Sequence, residues 1–270
     1  MKMDILKRNL APITDKAWEE IEDLASDILK IKLAARRFVD VSEPKGMDHG
    51  AEIEGRLHIP ENQDEDDVMY GVHKVLPLIE ARKSFTLDIW ELDNIERGAK
   101  DIDLAPLEEA VSKIADFEDN AIFHGVENAN IEGLVPSTKE RIISCKKTCE
   151  DLLASINQAV TTFQNDGIGG PYLLVINPDV WQNLLKGFKG YPLRKHVSGI
   201  TNGSIVFSDN IKGAFLVSAR GGDFELILGH DYDIGYENHD HQGVQLFISE
   251  SFTFRILEPK AIIKLRISSE

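Results

Sequence analysis

The segment VQLFISESFTFRI, residues 244–256, carries the longest regular alternation of apolar and polar residues in the chain. Its apolar positions are Val244, Leu246, Ile248, Phe252, Phe254 and Ile256. Glu250 is the one interruption on that face. A period of two predicts a β-strand with one face in a core. After a turn at 258–260, residues 263–267 alternate in the same way and predict a returning strand that closes a sheet.

Two helices are predicted earlier in the chain. One helix is predicted to begin after Thr14, whose side chain can cap it, and to continue to about Leu33. A second has Pro106 at a first helical position and Gly125 as its stop. Helix, strand and helix then alternate from about residue 150 to 185. The chain is therefore predicted to mix helices with antiparallel strands, an α+β class.

A strand is also predicted from Val75 to Leu92, because Phe85, Leu87 and Ile89 alternate with polar residues. Before it, residues 48–70 contain two short extended stretches around the acidic run 61–67, which predicts a hairpin that reaches into solvent. A hairpin with so little apolar cover cannot offset its own ordering entropy. Such a hairpin often needs a neighbouring molecule to pack against. A disordered loop explains the same residues equally well.

The net charge of the chain limits the kinds of molecule that it can bind. The 270 residues include 30 Lys and Arg against 46 Asp and Glu, a formal net charge of −16. Such a chain repels nucleic-acid phosphates and anionic membranes. No stretch is apolar enough for a signal peptide or a membrane span. We therefore expect a cytoplasmic protein that binds neither nucleic acid nor membrane.

Candidate chemical sites are weak. His230, His239 and His241 lie among carboxylates in a predicted loop, where no rigid frame would hold a metal. Cys145 and Cys149 are predicted to share one side of a helix, as free thiols without further metal ligands nearby. No nucleophile or phosphate-binding motif occurs. The sequence thus predicts no catalytic residue, no metal site and no required cofactor.

Several segments resemble those of the encapsulins, cage-forming proteins once grouped with linocin-type bacteriocins. They include LKRNLAP at 6–12, RRFVDV at 36–41 and FTLDIWELDNIERG at 85–98. DGIGGPY at 166–172 and RGGDF at 220–224, which runs on to IGY at 234–236, follow in family order. The resemblance covers residues 5–267 and identifies the chain as a member of this family.

The resemblance implies the fold of tailed-phage major capsid proteins. A peripheral domain would comprise residues 1–46, 80–134 and 223–270, an extended loop residues 47–79, and an axial domain residues 135–222. The extended loop would lie on an adjacent subunit. Identical subunits, sixty or a multiple, would then close into a cage.

The resemblance also implies three kinds of site. A groove beside the N-terminal helix would bind a C-terminal targeting peptide of the cargo through Arg36, Asp40, Ile234 and Tyr236. Some members bind a flavin such as FMN on the shell, at positions that correspond to Arg82 and Trp90. On a straight strand these two lie ~26 Å apart, so both could touch one flavin only if the chain bends.

A pore-lining turn at the fivefold axis is the third kind. It corresponds to Lys186, Gly187, Phe188, Lys189 and Gly190. Lysines gathered around an axis would favour anions over metal cations.

Rival interpretations remain. A phage major capsid protein would share the fold but enclose DNA, which the net charge of −16 disfavours. A bacteriocin or protease, suggested by older names of relatives, lacks a nucleophile motif here. The cargo implied by the family is a ferritin-like iron-storage protein or a dye-decolorising peroxidase, in a role linked to oxidative stress.

Overall fold

A computed structural model describes residues 5–61, 63, 68–185 and 192–268. The helices are α1 (Asp15–Lys32), α2 (Ile89–Arg97), α3 (Ala105–His124), α4 (Leu134–Ser137), α5 (Cys149–Asn165), α6 (Pro178–Leu185) and α7 (Leu193–Thr201). The strands are β1 (Asp40–Val41), β2 (Ala51–His58), β3 (Val72–Pro77), β4 (Ile79–Asp88), β5 (Gly125–Val126), β6 (Ile131–Glu132), β7 (Ile142–Lys146), β8 (Tyr172–Ile176), β9 (Ile205–Phe207), β10 (Ala214–Ser218), β11 (Phe224–His239), β12 (Gly243–Ile256) and β13 (Ile262–Ser268).

The predicted long strand is confirmed as β12, at the centre of a sheet with the order β1-β11-β12-β4. It pairs antiparallel with β11 along nearly its whole length and with β4 on its other edge. Val244, Leu246, Phe252 and Phe254 are fully buried. Glu250, the one polar residue in that alternation, is also fully buried, which makes it a buried carboxyl in a protein core.

A second sheet has the order β7-β13-β10-β8-β9. Its middle strands are short and apolar, and every residue of β8 and β10 is buried. β13 pairs with β10 and β7. The domain boundaries stay predictions, but residues 262–268 belong to this sheet and not, as the segment 223–270 implied, to the sheet of β11 and β12. Backbone pairing with distant strands decides this, and the alternation of β13 alone does not reveal it.

Helices cover the two sheets and form two apolar cores. The larger core joins the second sheet to α5, to the end of α3 and to one half of the long β11–β12 hairpin. The smaller core joins the other half of that hairpin to α1, α2 and the start of α3. As predicted, α1 begins after Thr14, whose hydroxyl accepts a hydrogen bond from the amide of Ala17 at 3.2 Å. Among the described residues, no helix has the length and apolar content needed to cross a membrane.

The strand predicted from Val75 to Leu92 is wrong at its end. β4 stops at Asp88, whose carboxylate accepts a hydrogen bond from the amide of Trp90 at 2.7 Å and caps α2. Trp90 therefore lies on a helix. The alternation of Phe85, Leu87 and Ile89 hid this boundary, because Ile89 suits the first turn of an amphipathic helix equally well.

The cysteine and histidine environments also differ from expectation. Cys145 is in β7 and Cys149 begins α5, so they do not share a helix face, and both are buried free thiols. Burial raises the pKa of each thiol. His230 and His239 lie on β11 instead of in a loop, and His230 is buried. Within the described ranges, no three His, Cys, Asp or Glu side chains are arranged to hold a metal ion.

The predicted hairpin before β4 consists of β2 and β3, which pair with each other and with no other described strand. We call these two strands the arm. Its register shifts between Ile53 and Leu57, where Gly55 adopts a φ of 71°. Large apolar side chains on and beside the arm are exposed: Ile53, Leu57, Ile59, Val68, Met69, Tyr70, Val72 and Val75.

Candidate functional site

A groove of about 610 Å³ runs between α1 and β11. It is lined by Glu22, Ala25, Ser26, Leu29, Lys30, Leu33, Arg36, Arg37, Asp231, Tyr232, Asp233, Ile234 and Ile248. Residues four apart on α1, Ala25 and Leu29, face one side of the helix and form an apolar wall. Ile234 and Ile248 are paired across β11 and β12 and supply the opposite apolar surface.

One end of the groove is closed by Arg36, just after α1. The Arg36 guanidinium donates from Nε to Glu118 Oε1 at 2.9 Å and from Nη2 to Glu118 Oε2 at 2.5 Å. It also donates from Nη1 and Nη2 to the two carboxylate oxygens of Asp231, at 3.2 and 2.9 Å. Glu250 Oε2 lies 3.7 Å from Nη2. Three carboxyl groups therefore share one cation, and we call them the carboxylate cluster.

Burial sets the protonation states in this cluster. Burial, and then the neighbouring carboxylate of Glu118, hold the pKa of Glu250 well above its ordinary range. Burial alone would lower the pKa of Arg36, but the hydrogen bonds to Glu118 and Asp231 outweigh it, so that pKa is raised. A neutral Glu250 beside a charged Arg36 leaves fewer unpaired charges in the core than three ionised carboxylates would.

Tyr232 forms the wall between the cluster and the groove. Its ring lies 5.0 Å below the Arg36 guanidinium, a cation–π contact. Burial, with Glu118 and Glu250 nearby, raises the pKa of the Tyr232 hydroxyl well above its ordinary value. The phenol is therefore neutral, and Tyr232 lines the groove.

The turn after α1 is held by a further buried acid. Asp119 on α3 accepts hydrogen bonds from the amides of Ala34 and Ala35 at 3.2 and 3.0 Å. Burial raises the pKa of Asp119 to about 7, although those two hydrogen bonds act in the opposite direction. These contacts fix the direction in which the chain leaves α1, and so the position of Arg36.

The structure places only part of the predicted peptide site in this groove. Arg36 and Ile234 line it. Asp40 does not: it lies on β1, accepts a hydrogen bond from the amide of Gly222 at 2.5 Å and borders a separate cleft of about 200 Å³. Tyr236 lies outside the lining too, with its hydroxyl 2.6 Å from His239 Nδ1. The assignment of these four residues to cargo binding stays a prediction.

Sequence reasoning missed the residues that build the rest of the site. Asp231, Tyr232 and Asp233 were passed over because they stood in a predicted loop. The sequence does not indicate that Glu118 is buried, since a carboxylate on a helix is usually solvated. Glu250 did give one: a charged residue within an otherwise apolar alternation indicates a buried charge that needs a partner.

The two residues predicted to bind flavin are in different environments. The Arg82 guanidinium lies 3.9 Å from the centre of the Phe247 ring and 3.6 Å from Glu80. Trp90 is 67% exposed, and the Arg97 guanidinium lies 5.6 Å from its ring. The bend at Asp88 meets the condition that the chain must turn between Arg82 and Trp90. Lys186, Gly187, Phe188, Lys189 and Gly190, the predicted pore loop, lie outside the described residues.

Comparisons with known proteins agree on the fold. The family Linocin_M18, described as an encapsulating protein for peroxidase, matches residues 3–253. A type 1 encapsulin shell protein of Rhodococcus erythropolis is 40% identical over 97% of this chain and 100% of its own length. The type 1 encapsulin shell protein of Rhodospirillum rubrum is also 40% identical, over 98% of this chain and 97% of its own.

Solved structures extend the likeness to capsids. A virus-like particle from Pyrococcus furiosus aligns over 91% of this chain and 97% of its own, with a TM-score of 0.64 at 20% identity. The capsid of cyanophage P-SCSP1u covers 87% of this chain and 88% of its own, with a TM-score of 0.55 at 11% identity. The predicted α+β, phage-capsid-like fold is confirmed.

Proposed function

Because the chain belongs to the Linocin_M18 family, we propose that it is the shell subunit of an encapsulin nanocompartment, which assembles into a closed cage around cargo proteins. Relatives that are 40% identical over nearly the whole chain carry the name of shell protein. The observation on this chain that supports the proposal best is the arm, where Ile53, Leu57, Val72 and Val75 are about half exposed or more.

The arm supplies the contact that would build the cage. Ile53, Leu57 and Val72 are 64, 50 and 55% exposed. Burying such side chains against a second copy stabilises by roughly 25 cal/mol for each Å² removed from water. The arm and the surface it covers are different parts of the subunit, so the contact is heterologous and repeats until rotational symmetry closes it.

The groove supplies the surface for cargo. Its two apolar walls and charged rim suit an extended peptide with apolar anchor side chains. The family description names a peroxidase as the encapsulated protein. We propose that a C-terminal segment of such a cargo, or of a ferritin-like iron-storage protein, lies in the groove. The chain would act as a structural protein of the cytoplasm, with the chemistry carried by the cargo.

Electron microscopy of the purified protein tests this function. Negative-stain images should show uniform hollow particles that elute in the void region of a sizing column. A monomer or dimer at micromolar concentration would contradict the proposal. Particles that retain DNA after nuclease treatment would favour the rival function, a phage capsid protein, for which the net charge of −16 is unsuited.

Trp90 supports a second, subordinate proposal. A tryptophan ring that is 67% exposed offers a stacking surface for a planar ligand such as a flavin. The Arg97 guanidinium lies 5.6 Å from that ring and pairs with Asp93, and the Arg82 guanidinium contacts Phe247 and Glu80. Both arginines therefore already have a carboxylate partner. Shells incubated with FMN and desalted should keep flavin absorbance, and Trp90→Ala should remove it. Desalted shells without that absorbance would exclude a flavin site.

A further inference from the structure

The charged side chains that line the groove differ in whether they have a partner. Glu22 pairs with Arg8 at 2.5 Å, and Lys30 pairs with Asp27 at 3.0 Å. Arg36 is held by Glu118 and Asp231. These pairs neutralise most of the charge that a peptide in the groove would meet. Arg37 also lines the groove; it has no carboxylate partner among the described residues and donates to the carbonyl oxygen of Lys30 at 3.4 Å. The lining carboxylates are paired, with one exception.

That exception is Asp233. Its backbone is fixed by pairing with Ser249 across the sheet, and its side chain lines the groove beside the buried Ile234. The Asp233 carboxylate forms no hydrogen bond or salt bridge with another residue that the structure describes. Burial raises its pKa, whereas His230 and Arg8 act in the opposite direction from a distance. Asp233 is thus a partly desolvated anion without a direct partner.

Arg8, the arginine whose charge lowers the pKa of Asp233, already has two partners. It forms an ion pair with Glu22, and its guanidinium lies 4.2 Å from the centre of the Trp18 ring. To reach Asp233 it would have to leave both contacts. Burial lowers the pKa of His230, and its Nε2 lies 3.3 Å from the Ser249 hydroxyl oxygen. Among the described residues, none of these cations lies within salt-bridge distance of Asp233, so a bound ligand can supply its partner.

We infer that Asp233 is a specificity-determining residue of the groove, and that it pairs with a lysine or arginine side chain of the bound peptide. The inference rests on the proposed function, in which the groove binds a cargo segment. Ile234 follows Asp233 directly, and consecutive residues of an extended chain lie ~3.3 Å apart. The peptide's cation should therefore lie within one or two residues of an apolar anchor. A peptide with an acidic residue there would be rejected, because two partly desolvated anions would meet.

The test uses a fluorescent protein as artificial cargo, co-expressed with the full shell protein. Its C-terminal tail has eight residues drawn from leucine, glycine and serine, with one lysine placed at each position in turn. The readout is fluorescence per shell after purification of the particles. At its best position, the lysine tail should load about tenfold more cargo than the same tail with glutamate there, and several-fold more than with glutamine, because one favourable ion pair of 1.4 kcal/mol is a factor of ten.

Variants of the shell protein then test whether Asp233 causes the preference for the lysine tail. Asp233→Asn should reduce loading of the lysine tail to the level of the glutamine tail. Asp233→Lys should invert the preference, so that the glutamate tail loads better than the lysine tail. Asp23→Asn is the matched control, since it removes the same charge from an exposed position of α1 outside the groove, and it should leave the preference unchanged.

The outcomes distinguish a failure of the Asp233 contact from a failure of peptide binding in the groove. Equal loading of lysine, glutamine and glutamate tails would overturn the role of Asp233 while leaving the groove as a peptide site. Intact shells that load none of the tails, or that load equally after Leu29→Arg blocks the groove, would overturn peptide binding in the groove itself. An inverted preference with Asp233→Lys would establish the contact, because a purely structural role of Asp233 cannot change its sign.

Discussion

Two antiparallel hairpins of this chain differ in how they are covered. The β11–β12 hairpin lies within a four-stranded sheet, and helices bury its apolar face, so that Leu246 is 0% exposed. In the part of the chain that the structure describes, the arm pairs β2 only with β3 and leaves Leu57 50% exposed. A two-stranded hairpin alone is marginally stable in water. The first hairpin is therefore stabilised by its own chain, whereas in the proposed function the second is stabilised by another copy.

The first test changes an apolar residue of the arm, and we expect it to have the largest effect. Leu57→Asp should abolish closed particles, because the same damaged contact recurs in every subunit of the shell. Arg56→Gln is the matched control: it changes the net charge by the same amount on the neighbouring residue, and particles should persist. Particle counts by mass photometry measure both. Normal shells from Leu57→Asp would mean that the arm does not hold neighbours together.

The second test concerns the carboxylate cluster around Arg36, which is buried beside the β11–β12 hairpin. Arg36→Met leaves the buried carboxylate of Glu118 without its cation, which should lower the free energy of unfolding by about 3–5 kcal/mol. Adding Glu118→Leu should restore part of that loss, because it removes an unpaired carboxylate. Chemical denaturation of dissociated subunits measures this. An Arg36→Met protein as stable as its parent would show that the cluster does not depend on its cation.

The third test makes the same substitution in both hairpins. Leu246→Ala should cost about 2–5 kcal/mol of subunit stability through lost burial and a cavity. Leu57→Ala should cost less than about 0.5 kcal/mol in the dissociated subunit, since its side chain is half exposed there. In assembled particles the Leu57 effect should grow. Equal costs in the dissociated subunit would contradict the contrast between the two hairpins.

The fourth and smallest effect concerns pH. Because the pKa of Asp119 is raised to about 7, the folded state binds a proton there that the unfolded state has released above pH ~4. Its contribution to stability is therefore complete at low pH and is lost as the pH rises through 7. Between pH 5 and 7 this lowers the free energy of unfolding by about 2 kcal/mol.

Asp119→Asn removes that titration, so the difference in stability between parent and variant should change with pH by this amount. Urea denaturation of dissociated subunits at pH 5, 6 and 7 measures it. A constant difference across that range would mean that Asp119 is ionised throughout.

Much of the fold could be predicted from local patterns. The alternation of residues 244–256 and the Thr14 cap gave β12 and the start of α1, because periodicity and capping are local signals. The partners of β13 could not be predicted, since they depend on which distant strands it meets. The end of β4 was missed because Ile89 fits both a strand and a helix.

The site was less predictable than the fold. Family resemblance indicated Arg36 and Ile234, and both line the groove. The carboxylate cluster joins residues from α3, β11 and β12 around Arg36, and no sequence spacing brings such residues together. Asp233 stands in an acidic stretch that has the composition of a solvated loop. The recognition role proposed for Asp233 depends on its partial burial beside Ile234 and on the partners that its neighbours already have.

An electron cryomicroscopy reconstruction of the purified protein tests the central claim most directly. We expect a closed hollow shell in which the arm of each subunit lies on an adjacent copy, with Ile53 and Leu57 removed from solvent. Closed shells in which these side chains remain exposed, or a sample that contains only monomers and dimers, would contradict the account.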